Sequence, residues 1–231
     1  MSRSLPLFPL GTVLYPGLML PLHIFEERYR VLVADLLARQ DDLRSDPDAR
    51  RFGVAEFGVV AIRHGAESGP LDTAALYGMG CVARVRRVNE IPGGRYDIVT
   101  TGTQRFRVLD VGAPAPYLSA EVEPLDDPLG DATNELTERV RGSFLRYLDL
   151  VTEGVGEALG ANVPHEPRAL SYLVAATVAM SLPERQRLLE APDAASRLAT
   201  EHDLLGREYQ LIRSLGGLPA TDLTRVGYSP N

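Results

Sequence analysis

The chain has 231 residues, of which 45% are hydrophobic and 24% charged, and this composition supports a folded core and excludes a disordered chain. No apolar stretch approaches the ~20 residues that a membrane-spanning helix needs, and the first residues lack the apolar run of a signal peptide. A single cysteine, Cys81, excludes an internal disulfide. These features predict a cytoplasmic protein.

The basic residues exclude several kinds of chemistry. All 24 of them are arginines, and the chain contains no lysine. A Walker A lysine, a Schiff-base lysine and a Ser-Lys dyad are therefore absent from this sequence. Residues 1–116 carry 14 arginines against 13 acidic residues, whereas residues 117–231 carry 10 against 18. The acidic second half argues against nucleic acid as a partner, because phosphate contacts need clustered basic residues.

The first elements mix extended pieces with one helix. Prolines break the apolar residues 5–10, which predicts an edge strand plus turns. Residues 19–24 form another extended piece. A helix is predicted over residues 26–39, because apolar side chains recur there at helical spacing. The polar residues 41–51 predict a loop.

Strands dominate the next part of the chain. They are predicted over residues 57–62, 77–88, 96–111 (one long strand or two consecutive strands) and 118–122. Residues 91–95 have the composition of a hairpin turn, and Gly102 interrupts the third strand, which indicates a bulge or bend. Short strands, glycine bends and one early helix predict a small closed or half-closed barrel.

After residue 124 the pattern is helical. One apolar face is formed by Leu136, Val140, Phe144, Tyr147, Leu148 and Val151. Pro167 predicts a helix start, because its missing N–H costs nothing there. Ser181 and Glu184 match a capping box that begins a short helix. A last long helix follows residues 192–193.

Residues 78–83 match G-x-G-x-x-A, which binds dinucleotides when a strand precedes it and a helix follows. Here the preceding residues are loop-like and the following ones have a strand pattern. We interpret the glycines as packed within a strand, and predict no cofactor.

No catalytic or metal site is predicted. The histidines at positions 23, 64, 165 and 202 have no ligand partners nearby in sequence, and a zinc site needs three or four converging ligands. Apolar neighbours predict that Cys81 is a buried, inert thiol. No G-x-S-x-G motif for a serine hydrolase is present. We therefore expect that the protein is not an enzyme.

Four arginines are candidate binding residues. Arg84 and Arg86 lie two apart in one predicted strand, and Arg105 and Arg107 lie two apart in the next. Residues two apart share a strand face, so the four could form an arginine stripe on the outer side. Two interpretations stay open: a solvated face balanced by carboxylates, or a stripe that binds anions or acidic peptides. RNA is a third, by analogy of fold alone.

The apolar residues beside the Pro16-Gly17 turn are also candidates. Leu18, Met19 and Leu20 could pack into the core, or some of them could be exposed. Exposed apolar patches mark interaction sites, and methionine adapts to varied partners. We include His23, which follows in the same extended piece, among the candidate peptide-binding residues.

Several segments resemble the amino-terminal domain of Lon proteases. The resemblance begins with PLFPL (residues 6–10), PG (residues 16–17) and LPLHIFEERY (residues 20–29). It continues in order through residues 57–60, 78–88, 95–98, 102, 105–108, 182–190 and 193–205. Arg185 stands where the family has a lysine.

The resemblance implies an α+β fold: a PUA-like β-barrel over residues 1–125, a helical bundle over 126–217 and an extended tail over 218–231. It implies binding of unfolded or degron-bearing polypeptides, which full-length Lon delivers to its ATPase ring. We expect a stand-alone, non-catalytic adaptor or quality-control factor that works beside a separate Lon protease. Peptide would contact Leu18, Met19, His23 and the four arginines. The alternative is a PUA-like sensor of small molecules or RNA. The oligomeric state is left open.

Overall fold

The structure is a computed structural model that describes residues 2–45, 55–65, 73–112, 116–152, 160–215 and 229–230. The chain divides into two compact units: residues 1–126 with 227–231 form unit 1, and residues 127–226 form unit 2. Unit 1 holds a mixed sheet and unit 2 holds helices, so the predicted α+β class is confirmed. No helix in the described ranges is long and apolar enough to cross a membrane.

Seven strands are described in unit 1. They are β1 (Arg3–Leu10), β2 (Met19–Ile24), β3 (Glu56–Ile62), β4 (Leu76–Ile91), β5 (Arg95–Val111), β6 (Ser119–Pro124) and β7 (Ser229–Pro230). Their order in the sheet is β4-β3-β1-β6-β5-β2-β7, and β4 pairs with β5 as well. β1 and β3 are parallel, whereas β4 and β5 form a long antiparallel hairpin.

The prediction that β1 is an edge strand is wrong. Its first half pairs with β6 and its second half with β3. Because each half pairs mainly on one side, Pro6 and Pro9 withhold donors without breaking a ladder that is paired on both sides. The apolar side chains of β1 enter the core, where Phe8 stacks on Tyr29 with ring centroids 3.9 Å apart.

The early helix, α1 (Glu27–Ser45), packs its predicted apolar face into this core. Tyr29, Leu32, Val33 and Leu36 are all buried. The helix continues six residues beyond its predicted end at residue 39, so the start of the predicted loop is helical. The rest of that loop, residues 46–51, lies outside the described residues.

Glycines shape the β4–β5 hairpin. Gly93 and Gly94 have positive φ angles of 91° and 68° in the predicted turn. The register shifts between the pairs Cys81–Arg105 and Ala83–Gly102, which confirms the irregularity predicted at Gly102. A Cβ at Gly102 would collide with the carbonyl oxygen of Tyr15, so only glycine allows this approach.

The G-x-G-x-x-A segment lies wholly inside β4, as the strand interpretation predicts. A Cβ at Gly80 would collide with the carbonyl oxygen of Val59 in β3, so this glycine serves strand packing. Cys81, in the same strand, is buried, and burial raises the pKa of its thiol to about 12. The thiol is therefore protonated and shielded at neutral pH.

Unit 2 contains four described α-helices. They are α2 (Asn134–Val151), α3 (Pro167–Thr177), α4 (Leu182–Glu190) and α5 (Ala194–Leu215). Pro167 begins α3, and Ser181 and Glu184 form the predicted capping box at α4. The buried faces of α2, α3 and α5 share one core that includes Val140, Phe144, Leu170, Val174, Leu198 and Leu205.

A buried polar network lies between α3 and α5. The Arg197 side chain donates to Ser171 Oγ (2.8 Å) and Asp127 Oδ1 (3.1 Å), and its guanidinium lies 3.9 Å from the centroid of the Tyr172 ring. Glu201, one turn further along α5, is 0% exposed, and neither carboxylate oxygen has a hydrogen-bond partner among the described residues. Burial therefore raises the pKa of Glu201 well above its usual value, although the charge of Arg197 opposes this.

We expect Glu201→Gln to stabilise the protein at neutral pH and to leave it nearly unchanged in acid. Because the native pKa of Glu201 is raised, its protonated carboxyl group contributes fully to the free energy of unfolding below the unfolded pKa of about 4.3. That contribution is lost as pH rises through the native pKa. Urea unfolding followed by circular dichroism should show the variant gaining up to about 1.4 kcal/mol per pH unit over that interval.

Asp203→Asn is the matched control, because Asp203 is an exposed carboxylate on the same helix. The stability gain at neutral pH should be absent from Asp203→Asn, because the carboxylate of Asp203 is already solvated. A stability difference between wild type and Glu201→Gln that is flat between pH 4 and 8 would contradict this account of the buried carboxyl group.

Candidate functional site

Strand β2 carries apolar side chains on both of its faces. Leu20, Leu22 and Ile24 point inward and are buried, as expected for one face of a strand. The opposite face carries Met19, Pro21 and His23, and Phe25 follows at the same two-residue spacing. We call these four residues the β2 row. Met19 is 73% exposed and Phe25 is 43% exposed.

The β2 row is unusual because outward positions of a half-buried strand are normally polar. The His23 ring stacks on Phe25 with centroids 6.1 Å apart, and its Nδ1 lies 2.7 Å from Asp97 Oδ1 in β5. Asp97 thereby holds the imidazole in place. The row presents a thioether, a pyrrolidine ring and two aromatic rings along about 20 Å of strand.

A turn closed by backbone hydrogen bonds positions the row. Gly17 N–H donates to the carbonyl oxygen of Gly102 (2.8 Å), and Gly102 N–H donates to that of Leu18 (2.8 Å). Gly17 has a φ of 81°, which favours glycine in this turn. Leu18 is half-buried, whereas Met19 projects outward. Leu20 is buried, so Met19 is the most accessible of the three apolar residues beside the turn.

The strand register brings two of the four candidate arginines near Met19. Thr101 of β5 pairs with Met19 on one side and with Arg84 of β4 on the other. Arg86 donates to Thr101 Oγ1 (3.3 Å). Thr101 is therefore surrounded by Met19, Arg84 and Arg86 on the outward face of β2, β5 and β4.

The two arginines differ in how their charge is balanced. Arg84 Nε and Nη2 both donate to Glu56 Oε1, at 3.1 and 2.9 Å, and Arg3 donates to Glu56 Oε2 at 3.1 Å. Arg86 is exposed and makes no ion pair with a carboxylate of the described residues. The outward face thus carries a positive charge beside Met19, and Arg86 supplies it.

The other two arginines lie elsewhere on β5. Arg105 is only 3% exposed, and its Nη2 donates to the carbonyl oxygen of Asp126 (2.8 Å). Arg107 pairs with Glu123 at 2.9 Å, and both side chains are exposed. Arg105 thus does not lie on the exposed face that alternation predicted, because the register shifts near Gly102. A binding role for Arg105 and Arg107 stays a prediction.

The remaining histidines do not gather with other ligands. His165 contacts Glu138 at 2.8 Å, and His64 is exposed. Within the described ranges, no three His, Cys, Asp or Glu side chains are placed to hold a metal ion.

Unit 2 contains a cleft of about 470 Å³ that the sequence does not predict. It is lined by Ser143 and Arg146 of α2 and by residues of α5 that include His202 and Arg207. Ser143 Oγ lies 3.4 Å from His202 Nδ1 and accepts from Arg146 (3.0 Å). The serine–histidine distance exceeds the ~3.2 Å typical of an activated nucleophile. Arg207 is already paired with Glu184 and Glu208.

Pro21 and Phe25 belong to the β2 row but are not among the residues predicted from the sequence. A signal was present: residues 19, 21, 23 and 25 carry no acidic or basic side chain apart from His23, and the residues between 19 and 24 that face inward are all apolar. Both faces of one short strand are therefore mostly apolar, which indicates an exposed apolar surface when one face is in the core.

We expect the Arg84–Glu56 pair to be structural. Because Glu56 is 14% exposed at its side chain and accepts from two arginines, a double-mutant cycle with Arg84→Ala and Glu56→Ala should give a coupling energy of about 0.5–1 kcal/mol in urea unfolding. The same cycle on Arg107 and Glu123, which are 55% and 45% exposed, should give about 0–0.3 kcal/mol. Equal coupling at the two sites would contradict this assignment.

Comparison with known proteins places the chain in a family. The family model for the ATP-dependent protease La (LON) substrate-binding domain matches residues 4–207. Lon protease 2 of Myxococcus xanthus is 29% identical over 217 residues, which are 91% of this chain and 24% of that protein. Lon protease 2 of Sorangium cellulosum is 30% identical, over 92% of this chain and 26% of that protein. The chain thus spans about a quarter of the length of these curated relatives.

Solved structures share the fold. The crystal structure of a Lon N-terminal domain protein from Xanthomonas campestris has a TM-score of 0.57 and 23% identity, and covers 88% of this chain and 98% of that one. The N-terminal domain of a Lon protease from the Mycobacterium avium complex has a TM-score of 0.59 and 19% identity, with the same coverage. The chain belongs to the LON substrate-binding domain family.

Proposed function

We propose that this chain is a non-catalytic recognition module for extended or unfolded polypeptides, and that the β2 row is its contact surface. The observation that carries the proposal is the exposure of Met19 and Phe25 on the outward face of a strand whose other face is buried. A surface of this kind costs solubility unless it has a partner, and exposed apolar patches commonly mark binding sites.

The spacing of the row suits a polypeptide in extended conformation. Side chains on one face of a strand repeat every ~6.6–6.8 Å, and those of an extended ligand repeat at the same interval. Met19 supplies a flexible, polarizable contact that accommodates many apolar side chains. Arg86, whose charge is unbalanced by the described carboxylates, favours acidic ligand side chains nearby. These contacts do not select one particular ligand sequence, and recognition of unfolded chains requires such tolerance.

The family supports this proposal from another direction. The model that matches residues 4–207 describes a substrate-binding domain, and the curated relatives are named Lon proteases. We infer that the chain serves as an adaptor or quality-control factor and presents polypeptides to a separate Lon protease. We further propose that the sheet of unit 1 forms a PUA-like barrel, because β4 also pairs with β5, a strand that is not its neighbour in the sheet order. The absence of lysine and the long serine–histidine distance in unit 2 favour a binding role over peptide hydrolysis.

Met19→Asp should weaken binding of unfolded casein by about tenfold or more, because it places a charge in an apolar contact. Fluorescence anisotropy with labelled, unfolded casein measures this directly. The variant should unfold at the same urea concentration as wild type, because Met19 is 73% exposed.

Leu109→Asp is the matched control: Leu109 is a 53% exposed apolar residue of β5 that lies outside the β2 row. Its affinity for casein should equal that of wild type. If both substitutions weaken binding alike, or neither does, the β2 row is not the contact surface. Arg86→Glu adds a second arm and should reduce affinity most for casein segments rich in acidic residues.

A further inference from the structure

The outer edge of β2 is occupied by the chain itself. Ser229–Pro230 form β7, which pairs with β2 in the parallel direction, with Leu22 opposite Ser229 and His23 opposite Pro230. β2 is six residues long, and β7 covers two of them. The two-residue strand β7 therefore pairs with only part of the β2 edge, and a longer strand could pair with more of it.

The backbone of β2 is suited to an edge position. Leu18 accepts from Gly102 N–H, and Leu20 accepts from Thr100 Oγ1 (2.9 Å), so these carbonyl groups point toward β5. Because backbone groups alternate sides along a strand, those of Met19, Pro21 and His23 point toward the outer edge. Position 21 therefore directs its backbone to the outer edge, so the missing N–H of Pro21 breaks no hydrogen bond to β5. Sheets tolerate proline at such edge positions. The outer edge keeps the N–H groups of Met19 and His23 and three carbonyls.

We propose that the outer edge of β2 docks an extended polypeptide as a parallel strand, and that the chain's own β7 segment holds this place in the free protein and is displaced on binding. The proposal rests on the function proposed above and specifies how the ligand backbone is recognised. Main-chain hydrogen bonds along an edge give affinity that is independent of sequence, and the adjacent β2 row contacts the ligand side chains.

The β7 segment is built to be displaced. It contributes only two residues to the pairing, against the six residues of β2. A ligand strand of six residues could pair along the whole of β2, whereas β7 pairs only at Leu22 and His23. A longer strand therefore replaces the shorter one, because it adds hydrogen bonds to the backbone N–H and carbonyl of Met19.

The competition can be measured by replacing residues 227–231 with Gly-Ser-Gly-Ser-Gly, which keeps the chain length and lowers strand propensity. If β7 occupies the edge for two-thirds to nine-tenths of the time, the variant should bind unfolded casein roughly three- to tenfold more tightly than wild type. A synthetic peptide of residues 223–231 should compete with casein for the variant.

Amide hydrogen exchange supplies a readout that does not depend on affinity. The His23 amide should exchange faster in the variant than in wild type and regain protection when casein or the synthetic peptide is added. The Leu22 amide, which faces β5, serves as the internal control and should not change.

Casein affinity that is equal in the two proteins, with His23 exchange also equal, would overturn the inference and leave the proposed function standing. Failure of both proteins to bind casein would refute the proposed function, and the inference with it. Tighter casein binding without a change at His23 would likewise overturn the inference, because it would locate the competition away from the β2 edge.

Discussion

The close approach of Gly102 to the turn before β2 fixes the geometry of the candidate site. Two backbone hydrogen bonds join Gly102 to Gly17 and Leu18, and a side chain at position 102 would collide with Tyr15. This contact sets the register of β2 on β5. The register in turn decides that Leu20, Leu22 and Ile24 enter the core while Met19 and Phe25 stay outside, since a shift by one residue would exchange the two faces.

The same glycine separates the arginines. The register shift beside Gly102 leaves Arg84 and Arg86 close to Thr101 and puts Arg105 in a buried position opposite Cys81. Arg84 is then committed to Glu56, so Arg86 is the arginine that adds positive charge beside Met19. The register shift beside Gly102 thus places Met19 and Arg86 on the same face of the sheet. An exposed apolar side chain beside a positive charge is the chemistry expected of a surface that binds extended chains.

Local patterns in the sequence were sufficient for much of the fold. The helical spacing of Tyr29, Leu32 and Leu36 predicted the buried face of α1, and the capping box at Ser181 predicted the start of α4. These features depend on residues that are neighbours in the chain. The edge assignment of β1 failed because its pairing switches from β6 to β3 halfway along, and the sequence carries no local mark of partners more than 50 residues away. The exposure of Met19 was left open, whereas the burial of Arg105 was missed because a bulge breaks the alternation on which the prediction depended.

If extended polypeptide lies on the β2 row, a fluorescent reporter at position 19 should sense its arrival. Because Cys81 is buried and its pKa is raised to about 12, a cysteine introduced by Met19→Cys can be labelled selectively with an environment-sensitive fluorophore. Titration with unfolded casein should shift the emission of this label saturably to shorter wavelength, while the same label at Leu109→Cys should not respond. Saturable casein binding, detected independently, that leaves the label at position 19 unchanged would contradict the account.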